Sequence, residues 1–305
     1  MGSERPWDLT QLMGDSVGAR LDGGCRELPG LLPSSRRPRL AGQAQCFFGG
    51  RRTVVAVTST AAAVIIEELR QGTDRVLGSS LVGAHLFGSS VLGDFDEQLS
   101  DVDLLVATRF PVTDDQLRAL IEMHDHLVER HPDWDNRVEV LYLDLATLST
   151  FRDGGDVVRI SPGEPIHRTP FLQHWLVDLY TVQESGLTIQ GADAGEVLPR
   201  IGVDEFRASI SSMVEKWLEW MRGTVQEGYL AYIRLALCRS LFAFRFGKQT
   251  SKPAAARWVA HEYPQWAALA DEAVQWRQAN SQTLNEAALL RTEEFARIVF
   301  EATRE

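Results

Sequence analysis

The sequence predicts an α+β protein, a small sheet domain followed by an all-helical one. Strand patterns cluster in the first half: Leu81–Phe87, then Ser100-Asp101-Val102-Asp103 running into Leu104-Leu105-Val106, then residues 137–143. After about residue 165 apolar residues recur at helical spacing instead. The length, 305 residues, leaves room for two domains. We therefore expect an N-terminal extension over residues 1–52, a sheet domain over 53–165 and a helical domain over 166–305.

Residues 1–52 are unlike the rest. Gly, Pro and Arg recur, as in the stretch from Leu28 to Arg39, and no period of 2 or 3.6 persists. The expectation is a disordered extension. Folding signals start near Val57. Thr58 or Ser59 is placed to cap a helix over residues 60–70, with Val64, Ile65 and Leu69 on its apolar face and Gly72 beyond its end. Thr113 is placed to cap a helix over 114–129, with Asp114 and Asp115 in its first turn. Its apolar stripe is Leu117, Leu120, Ile121 and Leu127, and Pro132 follows. Further helices are expected over 170–184, 203–225, 228–246, 252–263, 264–277 and 284–302, with 187–191 as a connection. Trp217, Trp220, Phe242, Phe244 and Trp258 read as core residues.

No apolar run approaches the ~20 residues of a membrane span, so no membrane partner is expected. Three widely spaced cysteines argue against a disulfide framework and fit a cytoplasmic protein. The formal charge is −11, which disfavours nucleic acid and suits a cationic small molecule drawn to an acidic cleft. Residues 1–52 hold eight Arg against five acids, so the remainder carries −14. A monomer is expected.

The chemistry centres on the stretch from His85 to Ala107. An apolar strand ends in Gly88-Ser89-Ser90, and a second strand opens with Asp101-Val102-Asp103. Gly88 permits a sharp turn and close approach of a ligand. Ser89 and Ser90 would open a short helix whose amides can cradle an anion. Asp101 and Asp103 share one strand face, since side chains alternate. Two such carboxylates repel unless a cation lies between them, and oxygen donors suit Mg²⁺ bridging to phosphate. On the third strand, Glu139 shares a face with Leu141 and Leu143. A carboxylate in apolar surroundings is costly unless it has a task. Asp144, at the end of that strand, is the fallback.

Gly-Ser, a spacer, then Asp-x-Asp between apolar strands resembles the nucleotidyltransferase superfamily signature. The segment from Leu237-Cys-Arg239 through Gly247-Lys248 and Lys252 to Ala254-Ala-Ala-Arg-Trp258 looks like the C-terminal signature of the streptomycin/spectinomycin adenylyltransferases. The resemblance spans roughly residues 55–305. It implies a small nucleotidyltransferase mixed-sheet domain, a helical C-terminal domain, ATP, Mg²⁺, and transfer of AMP to an antibiotic hydroxyl. By position it implies that Asp101 and Asp103 hold the metal, Gly88, Ser89 and Ser90 bind phosphate, Glu139 is the base, and Lys252 reaches the phosphates, with Lys248 nearby. The Trp and Asp that contact the antibiotic in that family have Gln226 and Tyr229 in their places here, and Tyr229 and Glu227 remain candidates for an acceptor pocket.

The resulting expectation is a Mg²⁺-dependent adenylyltransferase acting on a small, cationic, aminoglycoside-type acceptor, hence antibiotic resistance. Two alternatives stand beside it: modification of a protein side chain, and a nucleotide-binding regulator without catalysis. Intact acids argue against the latter.

Overall fold

The computed structural model describes residues 60–221, 229–279 and 285–304. The extension expected over 1–52, and the helix caps expected at Thr58 or Ser59, lie outside these residues. The fold is the expected α+β one, a mixed six-stranded sheet and a largely helical C-terminal part.

Helix α1 (Thr60–Leu77) buries Ile65, Ile66 and Leu69. It runs on past Gly72, where the sequence predicts its end. Gly72 is buried, and a side chain there would press into Met123 of helix α3 (Asp114–Arg130). The glycine serves close helix packing rather than termination, and its ~1 kcal/mol propensity penalty is outweighed. Helix α3 begins at Thr113 with a full capping box: Thr113 Oγ1 accepts from Gln116 N–H at 3.2 Å, and Gln116 Oε1 accepts from Thr113 N–H at 3.0 Å. Leu120 and Leu127 are buried, while Leu117 and Ile121 are half-buried.

Strands β1 (Leu81–Phe87) and β2 (Val102–Thr108) flank helix α2 (Ser89–Leu92). Strand β3 (Val138–Asp144) pairs parallel to β2, and β1 pairs antiparallel to it. Helix α4 (Leu145–Thr150) follows β3, then β4 (Asp156–Ser161) and β5 (Glu164–Pro170). After helix α5 (Leu176–Ser185) comes β6 (Leu187–Gly191). The strand order is β5-β4-β3-β2-β1-β6.

The domain boundary expected at residue 165 therefore falls inside β5, and the sheet closes only with β6. Both strands are hard to read locally. β5 buries only Ile166, β6 only Ile189, and β6 pairs with a strand a hundred residues earlier. Edge strands need little apolar pattern. The helix expected over 170–184 begins at Leu176, because Pro170 ends β5.

The rest is helical: short α6 (Ala194–Val197), then α7 (Val203–Met221), α8 (Tyr229–Phe246), α9 (Lys252–Glu262), α10 (Ala267–Ala279) and α11 (Glu286–Ala302). Arg234 of α8 is buried and ties three helices: Nε donates to Thr292 Oγ1 at 2.8 Å, Nη2 to Ala288 O at 3.0 Å, and Nη1 to Glu272. Trp217, Phe242, Phe244 and Trp258 pack on the helical core as expected; the side chain of Trp220 lies outside the described set. Among the described residues no helix is long and apolar enough to cross a membrane.

The sheet has two unlike faces. Leu86, Leu104, Val106, Val140 and Tyr142 pack with α1 and α3. Phe87, Leu105, Leu141 and Leu143 belong instead to one continuous core with the C-terminal helices. By alternation Asp103 and Glu139 stand on this second face, under the helical part.

Leu120→Ala should lower the unfolding free energy by about 2–5 kcal/mol through cavity formation. Thr113→Ala should cost only about 1 kcal/mol, through loss of the cap. Urea unfolding of both variants checks the contrast; equal losses would mean α3 is not seated by Leu120.

Candidate active site

The parallel register places Asp103 directly opposite Glu139, and Phe87 opposite Asp103. Asp101 lies just ahead of β2. Arg137 fixes that approach. Its Nη2 donates to Ser100 O and to Glu97 O, both at 2.7 Å, and its guanidinium lies 4.3 Å from the Trp134 ring. The loop before the two aspartates is thus held by an arginine that the sequence reading left unused.

Gly88 turns the chain into α2 at φ 65° and ψ −145°, a conformation that favours glycine. A Cβ at this position would collide with the Asp103 carboxylate. Turn and carboxylate are therefore one unit. Leu92 N–H donates to Gly88 O at 3.1 Å and starts the short helix. Ser90 is buried, and its hydroxyl finds no partner among the described residues; Ser89 is half-buried.

The helical part supplies the cations. Ser251 caps α9, accepting from Ala254 N–H at 3.2 Å, and also bonds Asp94 in the loop after α2. This cap sets Lys252 as the first residue of α9, with Nζ 4.4 Å from the Tyr232 ring centre. Lys252 lies within electrostatic reach of Asp101, Asp103, Arg239 and Arg277. Burial, then those two arginines, push Lys252 down to about 7, opposed by the two aspartates.

The acids are disturbed in the opposite direction. Burial raises Asp101, opposed by Lys252, Arg277 and Arg137. Burial raises Asp103 well above its ordinary value, with Glu139, Asp101 and Asp178 adding to the shift. Burial also raises Glu139; Arg159 opposes this, as does Ser161, whose Oγ donates to Glu139 Oε1 at 3.1 Å. No hydrogen-bond donor among the described residues serves Asp101 or Asp103. Hard, unpartnered oxygens facing each other fit a divalent cation, although among the described residues no three His, Cys, Asp or Glu converge tightly enough to hold one alone. Two carboxylates and bound phosphate oxygens would have to share it.

The structure thus brings together Gly88, Asp101, Asp103, Glu139 and Lys252, with Ser89 and Ser90 on the adjoining turn. Asp144 does not join them. It pairs in register with Thr108, at the far end of β3, and caps α4 by accepting from Ala146 N–H at 2.9 Å, Thr147 N–H at 3.1 Å and Thr147 Oγ1 at 2.7 Å. It is a helix cap, not a fallback base. Lys248 is exposed. Gln226 and Glu227, and the side chain of Tyr229, lie outside the described residues.

Besides Arg137, four charged residues escaped the sequence reading: Arg159, Asp178, Arg239 and Arg277. Arg239 stood in the Leu-x-Arg stretch without being assigned. Asp178 had a visible signal, an acid within Leu176-Val-Asp-Leu-Tyr180, and the logic applied to Glu139 covers it too. Burial, with Glu139, pushes Asp178 up to about 7, opposed by Arg239 and Arg159.

A Gly-Ser turn, two strand-end aspartates and a third acid on a parallel neighbour define a nucleotidyltransferase, and residues 66–163 match the family described as "Nucleotidyltransferase domain". Residues 196–302 match "Aminoglycoside adenylyltransferase, C-terminal domain". The chain thus joins a nucleotidyltransferase domain to a domain of the aminoglycoside adenylyltransferase C-terminal family. Among solved structures it is similar to spectinomycin adenyltransferase AAD(9) from Enterococcus faecialis, determined with ATP and spectinomycin. The TM-score is 0.62 at 19% identity, over 80% of this chain and 99% of that one. No curated protein matches the chain.

Gly88→Ala should remove activity with little change in secondary structure, because the methyl displaces the Asp103 carboxylate. Circular dichroism beside ATP binding checks this; retained ATP affinity would break the link between turn and carboxylate. Asp178 also has a pH signature. Its folded value is raised, so the neutral acid favours the fold and ionisation disfavours it. Asp178→Asn should match wild-type stability near pH 4, gain on it as pH rises toward about 7, and hold a constant lead above. Melting temperatures across that range decide it; a lead already present at pH 4 would sink the assignment.

Proposed function

We propose that the protein transfers AMP from ATP to a hydroxyl of an aminoglycoside-type antibiotic, with Asp101, Asp103, Glu139 and Lys252 as its working residues. The observation carrying this is their convergence: three acids from adjacent parallel strands and its lead-in, met by a buried lysine from the helical part. Match to both family domains supports the same reaction class.

Asp101 and Asp103 would hold Mg²⁺, whose chemistry is to draw charge from phosphate oxygens. Lys252, Arg239 and Arg277 line the opposite wall and neutralise the triphosphate. Triphosphate binding restores Lys252 to its charged form, since added anions reverse the effect of burial. The amides opening α2 and the Ser89 and Ser90 hydroxyls orient phosphate oxygens. Glu139 accepts the proton of the acceptor hydroxyl. The acceptor oxygen bonds the α-phosphorus as the bond to the β-phosphate oxygen breaks, and pyrophosphate leaves. A base near neutral pKa suits this step, and burial moves Glu139 in that direction.

Purified protein, ATP and Mg²⁺ are to be incubated with aminoglycosides and spectinomycin, and the products weighed by mass spectrometry for added AMP. Glu139→Gln should keep ATP affinity within a few-fold while single-turnover transfer falls by roughly 10² or more. Lost ATP affinity would make Glu139 a metal ligand instead; undiminished transfer would place the base elsewhere.

A further inference from the structure

Two of the proposed phosphate contacts come from elements far apart in the chain, the turn at Gly88 and Lys252 at the start of α9. A polar contact joins the two elements. Helix α2 ends at Gly93, in the left-handed conformation (φ 84°, ψ 10°), and Asp94 is the next residue. The Asp94 carboxylate reaches out of its own loop. Ser251 Oγ donates to Asp94 Oδ2, and Arg257 Nη2 lies 3.5 Å from the same oxygen. Asp96, two residues on, behaves otherwise: its Oδ1 accepts from Gln98 N–H at 2.9 Å and from Leu99 N–H at 3.1 Å, within the loop.

The contact acts on both of its sides. Ser251 is buried, and its hydroxyl has a single hydrogen to donate. With that hydrogen given to Asp94, a lone pair is left to accept from Ala254 N–H, the bond that caps α9. Asp94 thereby fixes the rotamer of the cap. A cation in the first turn of a helix is disfavoured by the helix dipole, and Lys252 is the first residue of α9. The Asp94 carboxylate at the same end offsets that charge. Ala255, Ala256 and Val259 seat the rest of α9 in the helical core, so the cap decides where the Lys252 backbone sits. On the other side, Arg137 Nη2 braces the loop after Asp94 through Glu97 O and Ser100 O. Helix α2 is four residues, roughly 6 Å, long, so the contact sets the first turn of α9 close to the Gly88 turn.

We propose that Asp94 is a positioning residue for the nucleotide: through Ser251 it fixes the first turn of α9, and so holds Lys252 at a set distance from the turn at Gly88. This rests on the reading of Lys252 as a triphosphate contact and deepens it. The anchor of the lysine is ordered before the nucleotide arrives, so binding is spared that cost. Without Asp94 the Ser251 hydroxyl is free to rotate, and α9 keeps its seat in the core while its first turn loosens.

The test reads binding without an acceptor. Full-length protein with Mg²⁺ is titrated calorimetrically with a non-hydrolysable ATP analogue. The Asp94 side chain is 33% exposed, so Asp94→Ala should fold, with circular dichroism as the check. Asp94→Ala should weaken the analogue about tenfold. Asp94→Asn, whose amide oxygen still accepts from Ser251, should recover most of that loss. In Lys252→Ala protein, already weakened, adding Asp94→Ala should change affinity by less than about twofold, because Asp94 acts through the lysine. A residue that merely sealed the rim would lower the melting temperature and act equally in both backgrounds. Unchanged affinity in Asp94→Ala overturns the proposal. So does an equal loss in the two backgrounds, or an Asp94→Asn no better than Asp94→Ala. A Lys252→Ala that binds as wild type, or a wild type that binds no analogue, would sink the triphosphate role of Lys252 and this inference with it. A weakened Lys252→Ala beside an unchanged Asp94→Ala sinks this inference alone.

Discussion

The structure turns on a cleft filled with more charge than its empty state can comfortably hold. Asp101, Asp103, Glu139 and Asp178 face one another in partly desolvated surroundings, and each is driven toward its neutral form. Lys252 is driven toward neutrality from the other side. Such an arrangement weakens the fold and persists only where the surroundings enforce it. A cation held by Asp101 and Asp103 would oppose their upward shifts, and a bound triphosphate would oppose the downward shift of Lys252, so ligand binding would recover part of what folding gave up.

The enforcement comes from backbone register and from one shared core. Asp103 and Glu139 cannot drift apart, because they are paired residues on adjacent parallel strands. Gly88 lets the neighbouring turn press against Asp103 where any side chain would push it away. Above them, Phe87, Leu105 and Leu141 of the sheet share a continuous apolar core with Ile210, Leu237 and Val259 of the helices. Polar contacts seal the rim. Ser251 bonds Asp94, Arg257 lies 3.5 Å from the same carboxylate, and Arg277 reaches toward Leu99 O at 3.5 Å. The lysine and arginines are thereby aimed before any substrate arrives, the arrangement that makes electrostatic stabilisation of a transition state effective.

How much of this the sequence discloses depends on how local each signal is. β1, β2 and β3 read clearly, since their apolar runs are continuous and their boundaries carry Gly, Ser and Asp. Glu139 reads clearly because an acid amid buried apolar residues is conspicuous. β5 and β6 do not, because edge strands bury one residue each and owe their existence to distant partners. Gly72 misleads, since a glycine that ends a helix and one that admits a neighbouring helix look alike without the neighbour. Asp144 misleads in a similar way. Its acid at a strand end is a helix cap, which only the following turn reveals. Asp178 was legible in principle but sat in a helix read for its apolar face alone.

The two halves of the cleft should differ in how far family resemblance can describe them. A triphosphate presents the same charges to every enzyme that uses it, so the Gly88 turn, the paired aspartates, Glu139 and Lys252 are the parts that resemble a known pattern most closely. The acceptor imposes no such uniform demand. Under the proposed reaction it need only offer a hydroxyl to Glu139, and everything else about it is negotiable through side chains of differing elements. Gln226 and Tyr229, where the sequence departs from the pattern it otherwise resembles, are departures of this kind. Under the proposed reaction the same phosphate chemistry could serve an acceptor whose contacts are arranged differently, and the acidic balance of the chain would favour the approach of a cationic one.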